Sequence, residues 1–218
     1  MNVIDTKTVI EMIGFMSNEF SENRQRLIEL DSEMGDGDLG IYMEIGMKKG
    51  YIRAQEMADG TPGEILKAVG MVFAVEAPST MGTLIGTAFM DAGKKVMGKS
   101  QIDAGDFAEI YSAMCEGIMR RGKASLGDKT ILDTLIPAKE AAAKTLQSGG
   151  CCKEIAKSAY DAAQAGVESA RQLKAVYGRP AYFGDATIGK YDGGTIVGML
   201  ICKAIYECLD NTCSQNDL

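Results

Sequence analysis

Leu30-Asp-Ser-Glu-Met-Gly-Asp-Gly-Asp-Leu-Gly40 sets Asp31, Asp36 and Asp38 among glycines at 35, 37 and 40. Glycine reaches φ > 0 and lets neighbouring side chains converge on a point. Residues five and two apart do not share one helical face. The stretch therefore reads as a turn between two helices, with its carboxylates aimed inward. Converging carboxylates require a counter-charge, and hard oxygen donors favour Mg²⁺ or Ca²⁺. Mg²⁺ held by a few carboxylates completes its shell with water and phosphate oxygens. A solvated Gly/Asp turn satisfies the same local pattern. An EF-hand does not fit, because a loop starting at Asp36 puts Met47 where the bidentate glutamate belongs.

Outward from this turn the chain reads as helices. Residues 5–30 carry Val9, Ile10, Met12, Ile13, Met16, Leu27 and Leu30 at helical period. A second amphipathic helix is expected from about Ile41 to Met57. Thr61-Pro62-Gly63-Glu64 is a capping box with Pro at the first helical position, and it opens an almost wholly apolar helix through Val75. Further helices are expected over Leu84–Val96, from an Asp106/Glu109 cap to about Arg121, over Ile131–Leu146, over Lys153–Tyr177 and over Thr195–Leu209. With 14 Met, only 6% aromatic residues and few β-branched runs, the fold class is all-α. About eight helices, no strand and no linker make residues 1–218 one domain.

Composition narrows the chemistry. The net charge of −7 argues against a nucleic-acid surface and offers anionic membranes no basic patch. No run approaches a membrane span, and the N-terminus lacks the basic start and apolar core of a signal peptide. Cys115, Cys151, Cys152, Cys202, Cys208 and Cys213 form no Cys-x-x-Cys pair. Zinc is thus disfavoured, and a reduced, cytoplasmic setting is expected. Core packing accounts for most of these thiols, with Cys151 and Cys152 read as exposed in a loop. There is no histidine at all, which removes Ser-His and Cys-His nucleophile pairs, imidazole ligands and phosphohistidine relays. Chemistry here rests on carboxylates, hydroxyls, Lys/Arg, backbone amides and metal.

Gly93-Lys-Lys-Val-Met-Gly98-Lys99-Ser100 matches the P-loop pattern letter for letter. The mechanism needs a strand before the loop and a helix starting at the Lys-Ser. Here a helix precedes it, so it reads as a lysine-rich helix end that suits the macrodipole. Three other loops lie at helix ends, where bundles build ligand sites. Ser79-Thr80-Met81-Gly82 is an N-cap that also offers backbone amides to phosphate. Gly127-Asp128-Lys129-Thr130 reads as a turn with a cap. Arg179, in a loop facing an acidic centre, is either a surface arginine or a bridge to phosphate.

Together, Asp31-Ser-Glu-Met-Gly-Asp36-Gly-Asp38-Leu-Gly, Gly122-Lys-Ala…Gly127-Asp128-Lys129-Thr130-Ile-Leu-Asp133 and Gly178-Arg179-Pro-Ala-Tyr182…Ile188-Gly189…Asp192-Gly-Gly resemble the L subunit of dihydroxyacetone kinases over essentially the whole chain. The resemblance implies a barrel of eight antiparallel helices binding ADP or ATP and two Mg²⁺ at one end. It assigns the metals to Asp31, Asp36 and Asp38, which act in catalysis through them. It assigns phosphates to Leu39, Gly40, Ile41 and Tyr42 and to Thr80 and Met81, and adenine and ribose to Gly122, Ile131, Arg179, Asp192, Gly193 and Gly194.

It further implies a phosphotransferase working only with a K-type subunit, which holds the ketose covalently through a histidine this chain lacks. A phosphotransferase-system phosphocarrier is implied as a further partner where bound ADP is rephosphorylated in place, and a homodimer is compatible. Two positions depart from the family pattern. Leu39 stands where the family usually has His, and Thr80-Met81-Gly82-Thr83 where it usually reads Ala-Ser-Gly-Pro. These departures define the alternative, a catalytically silent ADP-Mg²⁺ module that regulates or senses.

Overall fold

The computed structural model describes residues 2–216. Among them are nine α-helices: α1 (Thr6–Glu22), α2 (Arg24–Ser32), α3 (Leu39–Glu56), α4 (Pro62–Glu76), α5 (Thr80–Lys95), α6 (Ala104–Gly122), α7 (Leu132–Gln147), α8 (Cys152–Ala170) and α9 (Gly193–Asn216). Helix α1 packs on α3, each helix from α3 onward packs on the next, and α9 returns to α1. Eight helices thus close a ring, with short α2 as a link outside it. The interior is one continuous apolar cluster running from Ile4 to Leu209. No helix among the described residues is long and apolar enough to cross a membrane.

Short connections make neighbouring helices run in opposite directions, so every second helix begins at the same end. Leu39, Thr80 and Gly193, the first residues of α3, α5 and α9, line one cleft together with Ile131 before α7. The starts of α1 and α4 meet at the other end, where Thr6 Oγ1 donates to Gly60 O at 2.8 Å.

The absence of strands expected from sequence is corrected. β1 (Val3–Asp5) pairs antiparallel with β2 (Gln101–Asp103), Ile4 opposite Ile102. Each strand has three residues, one of them buried, which is too short for alternation to register. The periodic stretch 5–30 is also two helices. Asn23 breaks it, its side-chain amide donating to Glu19 O at 2.9 Å, a local bond that competes with the helical ladder.

Helix α6 starts earlier than expected because Asp103 is its cap. Asp103 accepts from Asp106 N at 2.8 Å, and Asp106 completes the box, while Glu109 pairs with Lys95 at 2.8 Å. Helix α8 stops at Ala170 rather than Tyr177. Cys152 is buried in the first turn of α8, which corrects its reading as an exposed loop thiol, while Cys151 is the half-buried cap residue at the end of the loop. Cys115, Cys202 and Cys208 are buried as expected; the side chain of Cys213 lies outside those described. Lys99 of the P-loop look-alike is spent on Asp106 at 2.5 Å.

The α4–α5 pair, whose turn carries Ser79 to Met81, meets backbone to backbone. A Cβ on Gly70 would lie 2.5 Å from Gly86 O and 2.7 Å from Met90 N, and one on Gly93 would lie 2.5 Å from Gly63 O. Gly70→Ala gains roughly 1 kcal/mol of helix propensity, but backbone cannot yield as a side chain can. We expect the variant to lose about 1–3 kcal/mol in urea denaturation; unchanged or raised stability would contradict this packing.

Candidate functional site: a carboxylate cluster facing four helix starts

The Asp loop is shaped by Asp31. From the end of α2 its Oδ2 accepts the amides of Asp38 (3.0 Å) and Leu39 (3.4 Å), capping α3 from outside. Asp38, the residue before α3, makes no cap bond of its own, which leaves its carboxylate for the cleft. Gly35 is required where the Asp31 side chain passes, since a Cβ there would lie 2.3 Å from Asp31 Oδ1. Gly37 has φ 75°. As a result Asp31, Asp36 and Asp38 each present an oxygen within 4.8 Å of the others.

The cluster strains its own charge. The Asp38 carboxyl is raised by desolvation first, then by Asp36 and Asp31, and Arg179 opposes the rise. Arg179 is ion-paired with Asp36. An all-oxygen, all-anionic donor set of this size fits a hard divalent cation.

Around it opens a cleft of about 660 Å³, within the range of small-molecule sites. The starts of α5, α7 and α9 line the same cleft as the carboxylates, which sit at the start of α3. Helix dipoles at such starts favour anions, although the first amides of α7 are already taken, Leu132 N by Thr130 Oγ1 at 3.2 Å and Asp133 N by Thr130 O at 3.0 Å. Ser79 caps α5 by accepting from Gly82 N at 3.0 Å. Asp133 takes the amides of Gly127 and Thr130, both at 2.7 Å. The remaining wall is apolar, with Leu30, Met34, Leu84, Tyr177 and Pro180 on it.

Of the residues singled out from sequence, the structure brings together Asp31, Asp36, Asp38, Leu39, Thr80, Met81, Ile131, Arg179, Asp192, Gly193 and Gly194 on this cleft. Four stand off it. Gly40 backs onto α2, where a Cβ would lie 2.2 Å from Arg24 O. Ile41 and Tyr42 keep their side chains off the lining; the Tyr42 ring packs on the core and its amide bonds Asp38 O. Gly122 lies one layer back, 3.1 Å from Leu84 Cδ2 as measured from its ideal Cβ. The two departures from the family pattern meet at one place: Leu39 Cδ2 lies 2.5 Å from the ideal Cβ of Gly193, and Met81 Cε 3.1 Å from that of Gly194.

Sequence reasoning passed over Lys129. It is 2% exposed, has φ 57° and lines the cleft. Desolvation lowers its pKa, while Asp192 and Asp133 act against that fall. No signal marked it, since a lysine beside Gly-Asp reads as a surface turn. Tyr191, under the Arg171 guanidinium at 4.5 Å, was also missed.

Asp192 precedes α9 and accepts from Thr195 N at 2.9 Å. It is half-buried on the cleft wall, and desolvation pushes its carboxyl up to about 6. The folded chain therefore binds more proton here than the unfolded chain between about pH 4 and 6. This group's contribution to stability is lost as pH rises through that window. Asp192→Asn keeps an acceptor for Thr195 without the charge. Near pH 4 it should match the parent, and above pH 7 exceed it by on the order of 2 kcal/mol. Parallel denaturant titrations across pH check this; a constant difference would contradict the desolvated-carboxyl assignment.

Comparison with known proteins identifies the family and the fold. Residues 33–207 match the family model described as DAK2 domain. The chain is 34% identical over 201 residues to the ADP-binding subunit DhaL of the PTS-dependent dihydroxyacetone kinase of Lactococcus lactis, covering 92% of this chain and 96% of that one. It is 31% identical over 206 residues to the corresponding subunit of PEP-dependent dihydroxyacetone kinase 1 of Listeria innocua, covering 93% and 96%. The fold is that of part of the C. freundii dihydroxyacetone kinase. The native form superposes with TM-score 0.71 at 22% identity over 91% of this chain and 34% of that one; its complex with AMP-PNP and Mg²⁺ gives 0.65 at 21%, over 91% and 33%. This chain thus spans about a third of that kinase's length. With its carboxylate cluster set against converging helix starts, the chain belongs to the DAK2-domain family, alongside the ADP-binding subunits of dihydroxyacetone kinases.

Proposed function

We propose that this chain is the nucleotide- and Mg²⁺-binding subunit of a dihydroxyacetone-kinase-like enzyme. In this reading it carries ADP or ATP with two Mg²⁺ and delivers phosphate to a small ketose held on a separate K-type subunit. The observation that carries the reading is the pairing of three carboxylates within 4.8 Å with four helix starts on one cleft. Neither half binds a polyphosphate well alone: the carboxylates repel it, and the amides leave the carboxylates unneutralised. Divalent cations between them reconcile the two, which matches the names of the relatives and the AMP-PNP and Mg²⁺ complex of the C. freundii kinase.

Each residue then has a task. Asp31, Asp36 and Asp38 hold the metals, whose chemistry when bound is to neutralise phosphate charge and orient the transferred group. The starts of α3 (Leu39, Gly40, Ile41, Tyr42) and α5 (Thr80, Met81) face the phosphates with their helix dipoles; the Tyr42 amide is already bonded to Asp38 O and the Leu39 amide to Asp31, so neither donates to phosphate. Arg179 exchanges Asp36 for a phosphate oxygen, a role suited to a planar guanidinium. Ile131, Asp192, Gly193 and Gly194 flank the nucleoside, with Gly122 in support behind Leu84. Phosphoryl transfer needs little beyond such positioning. The chain has no histidine to hold a ketose covalently, so the acceptor comes from the partner, which also excludes water from the open cleft. Where ADP stays bound, a phosphotransferase-system phosphocarrier supplies the donor phosphate.

The second reading, a silent ADP-Mg²⁺ module, is favoured by Leu39 and Met81 packing against Gly193 and Gly194. Product formation from dihydroxyacetone or a tetrulose separates the two. The lone chain with ATP should form no sugar phosphate, and adding a K-type subunit should give turnover. Robust turnover by the lone chain would overturn the two-component reading. Silence with the partner under both ATP and a phosphotransferase-system donor would favour the module.

A further inference from the structure

The segment that carries Arg179, residues 171–189, borders the cleft through Tyr177, Gly178, Arg179 and Pro180 and has little apolar anchorage, with Ala175 its one buried apolar residue. Its middle, Arg179–Thr187, is two short 3-10 turns kinked at Gly184. Tyr182 is 91% exposed, and Phe183 and Ile188 are about half exposed. Polar bonds at its base hold it instead. Gly189 N donates to Arg171 O at 2.6 Å and Val176 N to Asp128 O at 3.1 Å. The buried Thr187 Oγ1 accepts from Ala175 N at 3.0 Å and donates to Gly184 O at 2.7 Å.

At the centre of this base sits the Lys129 ammonium. It donates to Arg171 O (3.2 Å), Leu173 O (3.1 Å) and Thr187 O (2.6 Å). These carbonyls come from both ends of the strap. An ammonium has three N–H groups, so all are used and none is left for a phosphate, although the residue lines the cleft. Among the described residues it is the only buried lysine or arginine. Its left-handed backbone is one that glycine adopts more readily; what lysine adds there is the cation.

We infer that Lys129 is a positioning residue: its ammonium fills a seat of three carbonyls, closes the strap at its base and so fixes Arg179 over the carboxylate cluster. Acting this way, Lys129 contributes to polyphosphate binding only through Arg179. The inference rests on the nucleotide-metal reading of the cleft.

The test is ADP affinity in Mg²⁺, by calorimetry, for the parent and its variants. Lys129→Met keeps the apolar stem and removes the donors. It should weaken binding about 10- to 100-fold, the usual cost of losing a supporting contact. In an Arg179→Ala background the same substitution should cost nothing further. Lys129→Ala should be restored by n-propylammonium, which refills the seat, and not by 1-propanol. Thr187→Val leaves Lys129 intact but cuts two of the strap's bonds; it should show the same Arg179-dependent loss and serves if the lysine variants do not fold. A loss that persists in the Arg179→Ala background, undiminished affinity in Lys129→Met and Thr187→Val, or equal effects of the amine and the alcohol would each overturn the inference. Absence of Mg²⁺-dependent binding by the parent would instead defeat the underlying reading, so the two failures are distinct.

Discussion

Three carboxylates within 4.8 Å of one another are the constraint from which the rest of the structure follows. Each pair repels by roughly 3–4 kcal/mol at an effective dielectric near 20. Arg179 on Asp36 and the α3 amides on Asp31 offset only part of that, since a helix terminus contributes about 0.3–1 kcal/mol to a charge beside it. The Asp38 carboxyl is raised by desolvation first and by Asp36 and Asp31 after it. In the proposed reading the remaining relief comes from cations, and a ring whose alternate helices all start at one end supplies the anion-favouring wall that cations and polyphosphate together would fill.

The ring explains why this chemistry needs little side-chain specialisation. Because α3, α5, α7 and α9 all begin at the cleft, the anion seat proposed for it is built largely from helix ends. Side chains are left to cap and to support. Ser79 and Asp133 arrange the turns before α5 and α7, and the glycine contacts of α4 with α5 hold the Ser79 turn in place. A chain without histidine loses nothing at such a site.

The Asp loop, the capping box at Thr61 and most helix spans were legible in the sequence because each is local: period, cap and glycine lie within a few residues of one another. The all-α class was legible for the same reason, through helix count, while the closed ring was implied by the resemblance to dihydroxyacetone kinase L subunits. Most of what escaped depends on distant partners. β1 and β2 are three residues each and pair across the chain. Asn23 splits a continuous apolar period by one side-chain bond. The early end of α8 and the burial of Lys129 are one event, since the carbonyls of Arg171 and Leu173 bond the ammonium, and nothing in either segment alone announces it. Gly122 and Gly40 were located by motif, yet they support the cleft from behind.

The account stands most directly on whether nucleotide and metal bind as one unit. Calorimetric titration of ADP into the chain with Mg²⁺, after chelation, and with Asp36→Asn in Mg²⁺ measures this. Saturable binding only for the parent chain with Mg²⁺ present is the predicted result. Equal affinity after chelation, or binding by Asp36→Asn as tight as the parent's, would contradict the assignment of the carboxylate cluster.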